Sequence, residues 1–312
     1  MSRAIVFPGQ GSQAVGMGRE LAEAFPAARY VFEEVDEALK QNLSRLMWEG
    51  PESELTLTEN AQPALMAVSM AVIRVLEQQG NWKLAEHAAF VAGHSLGEYS
   101  ALAAAGAFTL GDAARLLKTR GQAMQKAVPV GQGAMAALLG VELDLARAIA
   151  AEAAEGEICE AANDNAPGQV VVSGSKAAVE RAIAVAAGRG FKRAVLLPVS
   201  APFHCALMQP AADAMAEALA QVPLKEPAAP VVANVTAAAV REPEEIRRLL
   251  VAQVTGTVRW RECVLYMKDH GVDELVEAGA GKVLAGLAKR IDKAIVASSL
   301  QTPADIEAFL KN

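Results

Sequence analysis

The stretch Gly93-His94-Ser95-Leu96-Gly97-Glu98-Tyr99-Ser100 decides the fold class of this chain. An apolar run from His87 to Ala92 precedes it, and an Ala/Leu-rich run from Leu102 to Ala107 follows it. The first run is typical of a buried strand and the second of a helix, so Gly-x-Ser-x-Gly falls where a strand turns into a helix. This is the setting of a nucleophile elbow, which exposes a serine hydroxyl and requires small neighbours. Ser95 is therefore a candidate nucleophile, and the alternative is a tight turn with a capping serine.

The composition favours a soluble globular protein. The 312 residues are 53% hydrophobic and 21% charged, and no apolar run approaches the roughly 20 residues of a membrane span. We therefore expect a cytoplasmic protein without a membrane partner. The net charge of -7 argues against nucleic-acid binding. The cysteines, Cys159, Cys205 and Cys263, are far apart and odd in number, so neither a disulfide framework nor a zinc site is indicated.

A second glycine-rich segment follows the first predicted strand, Ala4 to Phe7. Its sequence, Gly9-Gln10-Gly11-Ser12-Gln13-Ala14, matches the loose dinucleotide fingerprint G-x-G-x-x-A. That fingerprint also requires an acidic residue at the end of a second strand about 20 residues later. The acidic candidates instead fall in a predicted helix from Ala27 to Gln41, so nucleotide binding is the weaker interpretation of this segment.

The pattern of elements changes between Gly133 and Val199. Segments typical of strands and helices follow one another there in the order β-α-β-β-α-β, which is the order of a ferredoxin-like domain. A stretch rich in turn formers, Asn163 to Gly168, separates the two middle strands, and its asparagines either cap the turn or face the cleft. We predict an α/β fold with a main body of residues 1–130 and 200–312, into which residues 131–199 are inserted as a small domain.

One histidine is a candidate base for Ser95. His204 lies at or just before a predicted helix from Met208 to Gln221, where the helix dipole disfavours the imidazolium and keeps the ring able to accept a proton. The other histidines lie in polar connecting segments or, for His94, beside the serine on the opposite face of the extended chain. His204 is therefore selected by elimination, and no acidic side chain can be chosen to complete a triad.

Arg120 lies on an apolar stripe of the helix that is predicted to start at Gly111-Asp112. A guanidinium does not lose its proton, so at an enclosed position it requires a carboxylate, either from the protein or from a substrate. The alkyl stem could also carry the charge to water. The sequence leaves open whether Arg120 binds substrate, forms a structural ion pair or has a solvated tip.

Five motifs resemble those of a known family. They are Phe7 to Gln13, Gly93 to Tyr99, Arg120-Gly121 with Met124-Gln125, Asn165 to Val171, and Phe203-His204-Cys205. In this order, and over essentially the whole chain, they are similar to the malonyl-CoA:acyl-carrier-protein transacylases of bacterial fatty acid synthesis. The resemblance implies an α/β-hydrolase-like core with a mostly parallel sheet and the ferredoxin-like insertion.

The resemblance also implies an acyltransferase that moves a malonyl group from coenzyme A to the phosphopantetheine thiol of acyl carrier protein. In this ping-pong reaction Ser95 would be malonylated, and His204 would act as base, first toward the serine and then toward the thiol. The backbone N–H groups of Gln10 and Leu96 would form the oxyanion hole. The malonyl carboxylate would pair with Arg120.

Two further roles follow from the same resemblance. The main-chain carbonyl of Gln253 would orient the histidine, so that no triad acid would be needed, and Asn165 is a candidate substrate-binding residue. No metal or other cofactor is implied, since malonyl-CoA and the carrier protein are substrates. We expect a monomer, although the sequence does not determine the oligomeric state.

Two alternatives belong to other functional classes. A serine esterase or thioesterase would use the same serine and histidine with water as the acceptor, and a noncatalytic carrier-protein docking module would use neither. The acidic carrier protein would meet a local basic patch. Candidates for this patch are Lys192 with Arg193, or Lys289 with Arg290.

Overall fold

The computed structural model describes residues 2–311, which form two β-sheets with helices packed against them. The strands are β1 (Arg3–Phe7), β2 (Phe90–Gly93), β3 (Gly133–Leu139), β4 (Cys159–Ala166), β5 (Gln169–Ser175), β6 (Ala194–Leu196), β7 (Val231–Ala233), β8 (Ala238–Val240), β9 (Glu274–Ala278) and β10 (Val296–Leu300). The helices are α1 (Arg19–Ala24), α2 (Pro26–Leu39), α3 (Leu43–Glu49), α4 (Glu52–Leu55), α5 (Thr58–Gly80), α6 (Leu84–His87), α7 (Gly97–Ala104), α8 (Leu110–Ala127), α9 (Leu143–Ala154), α10 (Lys176–Gly188), α11 (Gln209–Ala220), α12 (Pro243–Thr255), α13 (Trp260–Asp269), α14 (Val283–Ile291) and α15 (Pro303–Leu310), with a 3-10 turn at Ala206–Met208. This mixture of strands and helices is an α/β fold, as predicted.

The larger sheet positions the nucleophile elbow. Its strand order is β10-β9-β1-β2-β7-β8, and the strands from β10 to β7 are parallel, whereas β8 is antiparallel at the edge. Both faces of β1 are buried, with Ile5 and Phe7 in one apolar cluster and Ala4 and Val6 in another, which explains its continuous apolar sequence. Phe7 is paired with Gly93, so the loops after β1 and β2 meet at the carboxyl edge of the sheet, where α/β folds bind ligands.

The smaller sheet has the order β4-β5-β3-β6, and every neighbouring pair is antiparallel. Helices α9 and α10 bury their apolar residues against it in a third cluster, separate from the two of the main body. The order and the directions of the four strands are those of a ferredoxin-like domain, in agreement with the predicted fold class. We propose residues 131–199 as the limits of this inserted domain.

The predicted turn from Asn163 to Gly168 is shorter in the structure. Strand β4 continues to Ala166 with two register shifts against β5, and Pro167 and Gly168 alone separate the two strands. Asn163 forms a β-bridge with Val258 of the main body, and Asp164 N–H donates to the carbonyl of Val258 at 2.9 Å. This pairing with a distant segment overrides the local turn preference of the asparagines.

The predicted boundaries around the elbow also shift. His87 belongs to the short helix α6, where its ring stacks on Trp82 with centroids 5.4 Å apart, so β2 begins only at Phe90. On the other side, α7 begins at Gly97, inside the motif itself, and not in the Ala/Leu-rich run that follows it. The turn between β2 and α7 is therefore tight, and Ser95 lies within it.

Candidate active site

The elbow at Ser95 has the backbone geometry that its glycines permit. Ser95 has φ 52°, in the left-handed region that L-residues rarely adopt. A Cβ at Gly93 would lie 1.9 Å from the carbonyl oxygen of Gly97, and a Cβ at Gly97 would lie 2.2 Å from that of Phe7. Both distances are far below van der Waals contact, so only glycine allows the strand, the turn and the helix to pack this closely.

Ser95 and His204 are hydrogen-bonded, with Oγ 2.8 Å from Nε2. The other ring nitrogen, Nδ1, lies 2.9 Å from the main-chain carbonyl of Gln253. A carbonyl oxygen can only accept, so Nδ1 carries the proton and Nε2 is left to accept the Ser95 hydroxyl proton. This is the arrangement of a serine and its general base, with a carbonyl where other serine enzymes have an acid.

The His204 imidazole is held neutral. It is 4% exposed, and burial, followed by the charge of Arg120, lowers its pKa from 6.5 to about 3. The sequence predicted a neutral ring from the dipole of the following helix. In the structure only the three-residue turn Ala206–Met208 follows directly, and the larger causes are desolvation and the neighbouring guanidinium.

Arg120 is buried beside the nucleophile and is 1% exposed. Its Nη1 donates to Gln62 Oε1 at 2.9 Å, and its Nη2 donates to Gln253 Oε1 at 2.9 Å and to Ser95 Oγ at 3.1 Å. Within residues 2–311 no carboxylate forms an ion pair with it, and its Nε has no hydrogen-bond partner. Burial excludes a solvated tip, and the hydrogen-bond partners of the guanidinium are neutral side chains, so it can pair with an anionic group that enters the cavity.

Two backbone amides that lack a hydrogen-bond acceptor within residues 2–311 belong to residues that line the same cavity. The cavity has a volume of about 570 Å³ and is lined by Gln10, Leu96, Ser95, Arg120 and His204, among others. Among the described residues, no hydrogen-bond acceptor is found for the N–H groups of Gln10 and Leu96. The Ser95 N–H, by contrast, donates to Asn234 Oδ1 at 2.8 Å. The first two amides are therefore available to an oxyanion that forms next to Ser95 Oγ.

His94 and Asn165 interact with each other. His94 Nε2 donates to Asn165 Oδ1 at 2.8 Å, and the His94 ring lies against Trp260 with centroids 5.8 Å apart. His94 lines the cavity together with Ser95, so its predicted position on the opposite face is wrong. Burial lowers the pKa of His94 and keeps the ring neutral. Asn165 contacts the cavity wall through His94, whereas the neighbouring Asn163 is the asparagine that lines it.

The sequence reasoning missed four side-chain groups that hold the elbow. Gln62 binds Arg120, while Glu98, Asn234 and the amide of Gln253 form a buried network beneath Ser95. Burial raises the pKa of Glu98 to about 7. Glu98 stood inside the elbow motif, so its position was visible, but nothing in the sequence indicated that it meets Asn234.

Other possible sites are less suited to chemistry. A second cavity, of about 720 Å³, lies between the small domain and α12, and its arginines pair with neighbouring acids, as Arg261 does with Glu142 and Asp164.

Among residues 2–311 no group of three or more His, Cys, Asp or Glu side chains could hold a metal ion. None of the helices in this range is long and apolar enough to cross a membrane. The three cysteines are free and buried.

Comparisons with known proteins agree with one another. Residues 4–295 match the family model of the acyl transferase domain. The malonyl CoA-acyl carrier protein transacylase of Escherichia coli (strain K12) is 47% identical over 308 residues, which are 99% of this chain and 98% of the relative. The crystal structure of an acyl-carrier-protein S-malonyltransferase from Bartonella henselae has a TM-score of 0.97 and 57% identity, and the match covers 100% of this chain and 99% of that one.

A further solved structure contains a carrier protein. It is a malonyl-transacylase in complex with the holo acyl-carrier protein of a type II polyketide synthase, with a TM-score of 0.96 and 43% identity over 100% of both chains. At these identities and coverages, this chain belongs to the malonyl CoA-acyl carrier protein transacylase family.

Proposed function

We propose that this chain transfers a malonyl group from malonyl-CoA to the phosphopantetheine thiol of acyl carrier protein, and so supplies the malonyl unit for fatty acid synthesis. The observation that carries the proposal is the double contact of Ser95 Oγ, which is bonded at once to a neutral His204 and to the buried guanidinium of Arg120. The first contact fits a nucleophile with its base, and the second fits an acyl group that ends in a carboxylate.

The first half-reaction forms the malonyl-serine. Ser95 Oγ attacks the thioester carbonyl while its proton moves to His204 Nε2, and the resulting oxyanion accepts hydrogen bonds from the N–H groups of Gln10 and Leu96. Collapse breaks the carbon–sulfur bond, and the coenzyme A thiolate takes the proton from His204. The carbonyl of Gln253 stabilises the transient imidazolium through Nδ1–H.

The second half-reaction runs the same steps with a new thiol. His204 Nε2 takes the proton of the carrier-protein thiol, and the thiolate attacks the ester carbonyl on Ser95. When the carbon–oxygen bond to Ser95 breaks, the proton returns from His204 to Oγ. The enzyme is regenerated without any change in oxidation state, and the serine, the histidine and the two amides supply every proton and charge contact of these steps, so we propose that no metal or redox cofactor takes part.

Arg120 accounts for the choice of acyl group. A bidentate pair between its guanidinium and the malonyl carboxylate, formed in a site poor in water, binds a carboxylated chain and disfavours a neutral one, whose entry would leave the charge unpaired. The bonds to Gln62 and Gln253 hold the guanidinium in place before the substrate arrives. Asn165 acts on the site through His94.

The carrier protein would meet basic side chains on the small domain and on α14. Lys192, Arg193, Lys289 and Arg290 are all exposed, and within the described residues none forms an ion pair. Leu139 N–H donates to the carbonyl of Arg193, and Gln169, which is paired with Leu139, accepts from the Arg290 guanidinium. Both basic pairs therefore belong to the same end of the small sheet and can act on one acidic partner. A monomeric state and a cytoplasmic location remain predictions.

Intact-protein mass spectrometry with malonyl-CoA alone tests the proposed function. We expect a stable malonyl adduct that maps to Ser95 and is discharged by holo carrier protein. Ser95→Ala should abolish the adduct, whereas Ser100→Ala should keep it, because Ser100 is buried in α7 and its hydroxyl has no hydrogen-bond partner. Rapid loss of the adduct to water would indicate a hydrolase. Carrier-protein binding without any adduct, unaffected by Ser95→Ala, would indicate a docking module.

A further inference from the structure

Asn234 joins the nucleophile elbow to the neighbouring strand. It is completely buried and follows β7, which is paired in parallel with β2. Its Oδ1 accepts from the Ser95 N–H at 2.8 Å, and its Nδ2 donates to the carbonyl of Gly93 at 2.7 Å. The side chain thus continues the pairing of the two strands beyond the point where β2 turns into the elbow.

These two bonds determine the conformation of the turn. A non-glycine residue in the left-handed region costs on the order of 1–3 kcal/mol and persists only where its surroundings hold it. Asn234 binds the main chain on both sides of His94, at the carbonyl of Gly93 and at the N–H of Ser95, and so fixes the peptide units that lead directly into Ser95. Since the Ser95 N–H is used in this way, the amide of Leu96 is the first in the turn that is left to face the cavity.

Glu98 anchors Asn234 from below the elbow. Its Oε2 accepts from the main-chain N–H of Asn234 at 2.9 Å and from Gln253 Nε2 at 3.0 Å, and the residue is 2% exposed. Its own N–H donates to the carbonyl of Ser95 at 3.0 Å. The carboxyl group therefore ties together the end of β7, the last turn of α12 and the first turn of α7.

We propose that Asn234 is a positioning residue that fixes the directions of Ser95 Oγ and the Leu96 amide, with Glu98 as its anchor. The inference rests on the proposed function, in which these two groups are the nucleophile and an oxyanion donor. Asn234 does not reach the reacting atoms, since its contacts to the elbow are to the main chain. Its loss should therefore slow acylation more than it weakens the binding of malonyl-CoA, because Gln62 still holds Arg120.

Three variants of the full chain test this proposal. Asn234→Ala removes both bonds to the elbow, and Asn234→Asp keeps an acceptor for the Ser95 N–H but not the donor to Gly93. Val232→Ala is the matched control, because Val232 is as buried as Asn234, lies in the preceding strand β7, and has no side-chain group that could hydrogen-bond to the elbow main chain. The rate of Ser95 malonylation is followed by rapid quench and intact mass, together with kcat, KM and the melting temperature.

We expect Asn234→Ala to lower the acylation rate by about 10²-fold, which is typical when a reacting group is misplaced by about 1 Å, while KM for malonyl-CoA changes much less. Asn234→Asp should lose less activity. Val232→Ala should lower the melting temperature and keep the acylation rate near that of the wild type.

An unchanged acylation rate in Asn234→Ala, or an equal loss in Val232→Ala, would overturn the inference. If Asn234→Ala does not fold, Asn234→Asp decides: a reduced rate at similar KM supports the positioning role, and a wild-type rate refutes it. If the wild-type protein itself forms no adduct on Ser95, the proposed function fails and the inference falls with it. If the wild type forms the adduct on Ser95 and the Asn234 variants form it equally fast, the inference is refuted while the proposed function stands.

Discussion

Arg120 and Ser95 are in direct contact, with Nη2 3.1 Å from Oγ. Arg120, which would anchor the acyl carboxylate, is thus one hydrogen bond away from Ser95 Oγ, which would attack the acyl carbonyl. A substrate that uses both must have its carboxylate close to its thioester, as malonyl does. The contact also means that Arg120 donates to the hydroxyl oxygen while the hydroxyl proton points to His204, which favours the negative charge that develops on Oγ during attack.

Arg120→Ala should lose malonyl transfer. Hydrogen bonds to a charged group are each worth about 1.5–3 kcal/mol, so the loss of a bidentate pair should reduce kcat/KM for malonyl-CoA by about 10²-fold or more. Acetyl transfer should be tolerated or increased, because no unpaired charge then faces the neutral methyl group. The measurement is acyl loading of Ser95 from both thioesters.

A matched control for this variant lies on the same helix. Arg115→Ala removes an arginine of α8 that is exposed and paired with Asp112, and it should leave the loading rates for both thioesters unchanged. Unaltered malonyl kinetics in Arg120→Ala would remove Arg120 from the acyl-binding site.

The pH dependence of acylation should also change in Arg120→Ala. The neighbouring positive charge is the second largest cause, after burial, of the low pKa of His204. Removing that charge should raise the pKa, so His204 would become protonated, and lose its function as a base, at a higher pH than in the wild type. With acetyl-CoA as the common substrate, the acid limb of kcat/KM should move upward, while remaining below the ordinary histidine value near 6.5 because the ring is still buried. An acid limb at the same pH in both proteins would contradict this electrostatic coupling.

Gln253→Ala separates the two roles of this residue. The main-chain carbonyl that binds His204 Nδ1 remains, but the amide that holds Arg120 at 2.9 Å and the carbonyl of Ser95 at 3.0 Å is lost. We expect KM for malonyl-CoA to rise by about 10-fold, since one hydrogen bond to a charged group is removed, and the pH profile of His204 to keep its shape. Gln209→Ala, on the exposed surface of α11, is the control. A loss of base function in Gln253→Ala would show that the side chain also orients the histidine.

The elbow could be predicted from the sequence because its determinants are local. Gly93 and Gly97 flank Ser95 at fixed spacing, and a Cβ at Gly93 would clash with Gly97 of the same motif. The β-α-β-β-α-β order was equally visible, because each strand and helix carries its own periodicity. These features require no knowledge of which distant segments meet.

The remainder of the site depends on such distant contacts. The sequence did not show whether the Arg120 guanidinium is solvated, forms an ion pair or binds substrate. Its partners Gln62 and Gln253 come from the distant helices α5 and α12. Asn163 was placed in a turn because its preference is local, whereas in the structure it pairs with Val171 of β5 and also forms a bridge to Val258, 95 positions further along the chain. His204 is bonded to a main-chain carbonyl, which every residue type has, so the sequence cannot show which residue provides it. Only the family resemblance indicated Gln253.

Reversing the charges of Lys192 and Arg193 on the small domain should weaken only the reaction with acyl carrier protein, the second substrate. In Lys192→Glu/Arg193→Glu, repulsion of the acidic carrier protein should raise its KM by about 10-fold or more, while Ser95 loading from malonyl-CoA stays unchanged. Arg19→Glu, on α1 of the main body, is the control, and it reverses one exposed positive charge where the double variant reverses two. Added salt should reduce the difference between the wild type and the double variant, because exposed charges are screened. An equal effect of Arg19→Glu would indicate that net charge, and not this surface, governs the encounter.

Glu98 should make the stability of the protein depend on pH. Burial raises its pKa from the ordinary value of 4.5 to about 7, so between these values the folded protein binds a proton that the unfolded chain has released. The contribution of Glu98 to the free energy of unfolding is therefore fully present below about pH 4.5 and is lost as the pH rises through 7. The loss amounts to roughly 3 kcal/mol at most. Glu98→Gln cannot ionise, and its free energy of unfolding, measured by urea denaturation from about pH 5 to about pH 8, should fall less steeply than that of the wild type. Glu86→Gln, which changes a surface carboxylate paired with Lys83, should retain the wild-type slope. Parallel curves for Glu98→Gln and the wild type would mean that Glu98 is already ionised at pH 5 in the folded protein, and that the network beneath Ser95 stabilises its charge more strongly than burial opposes it.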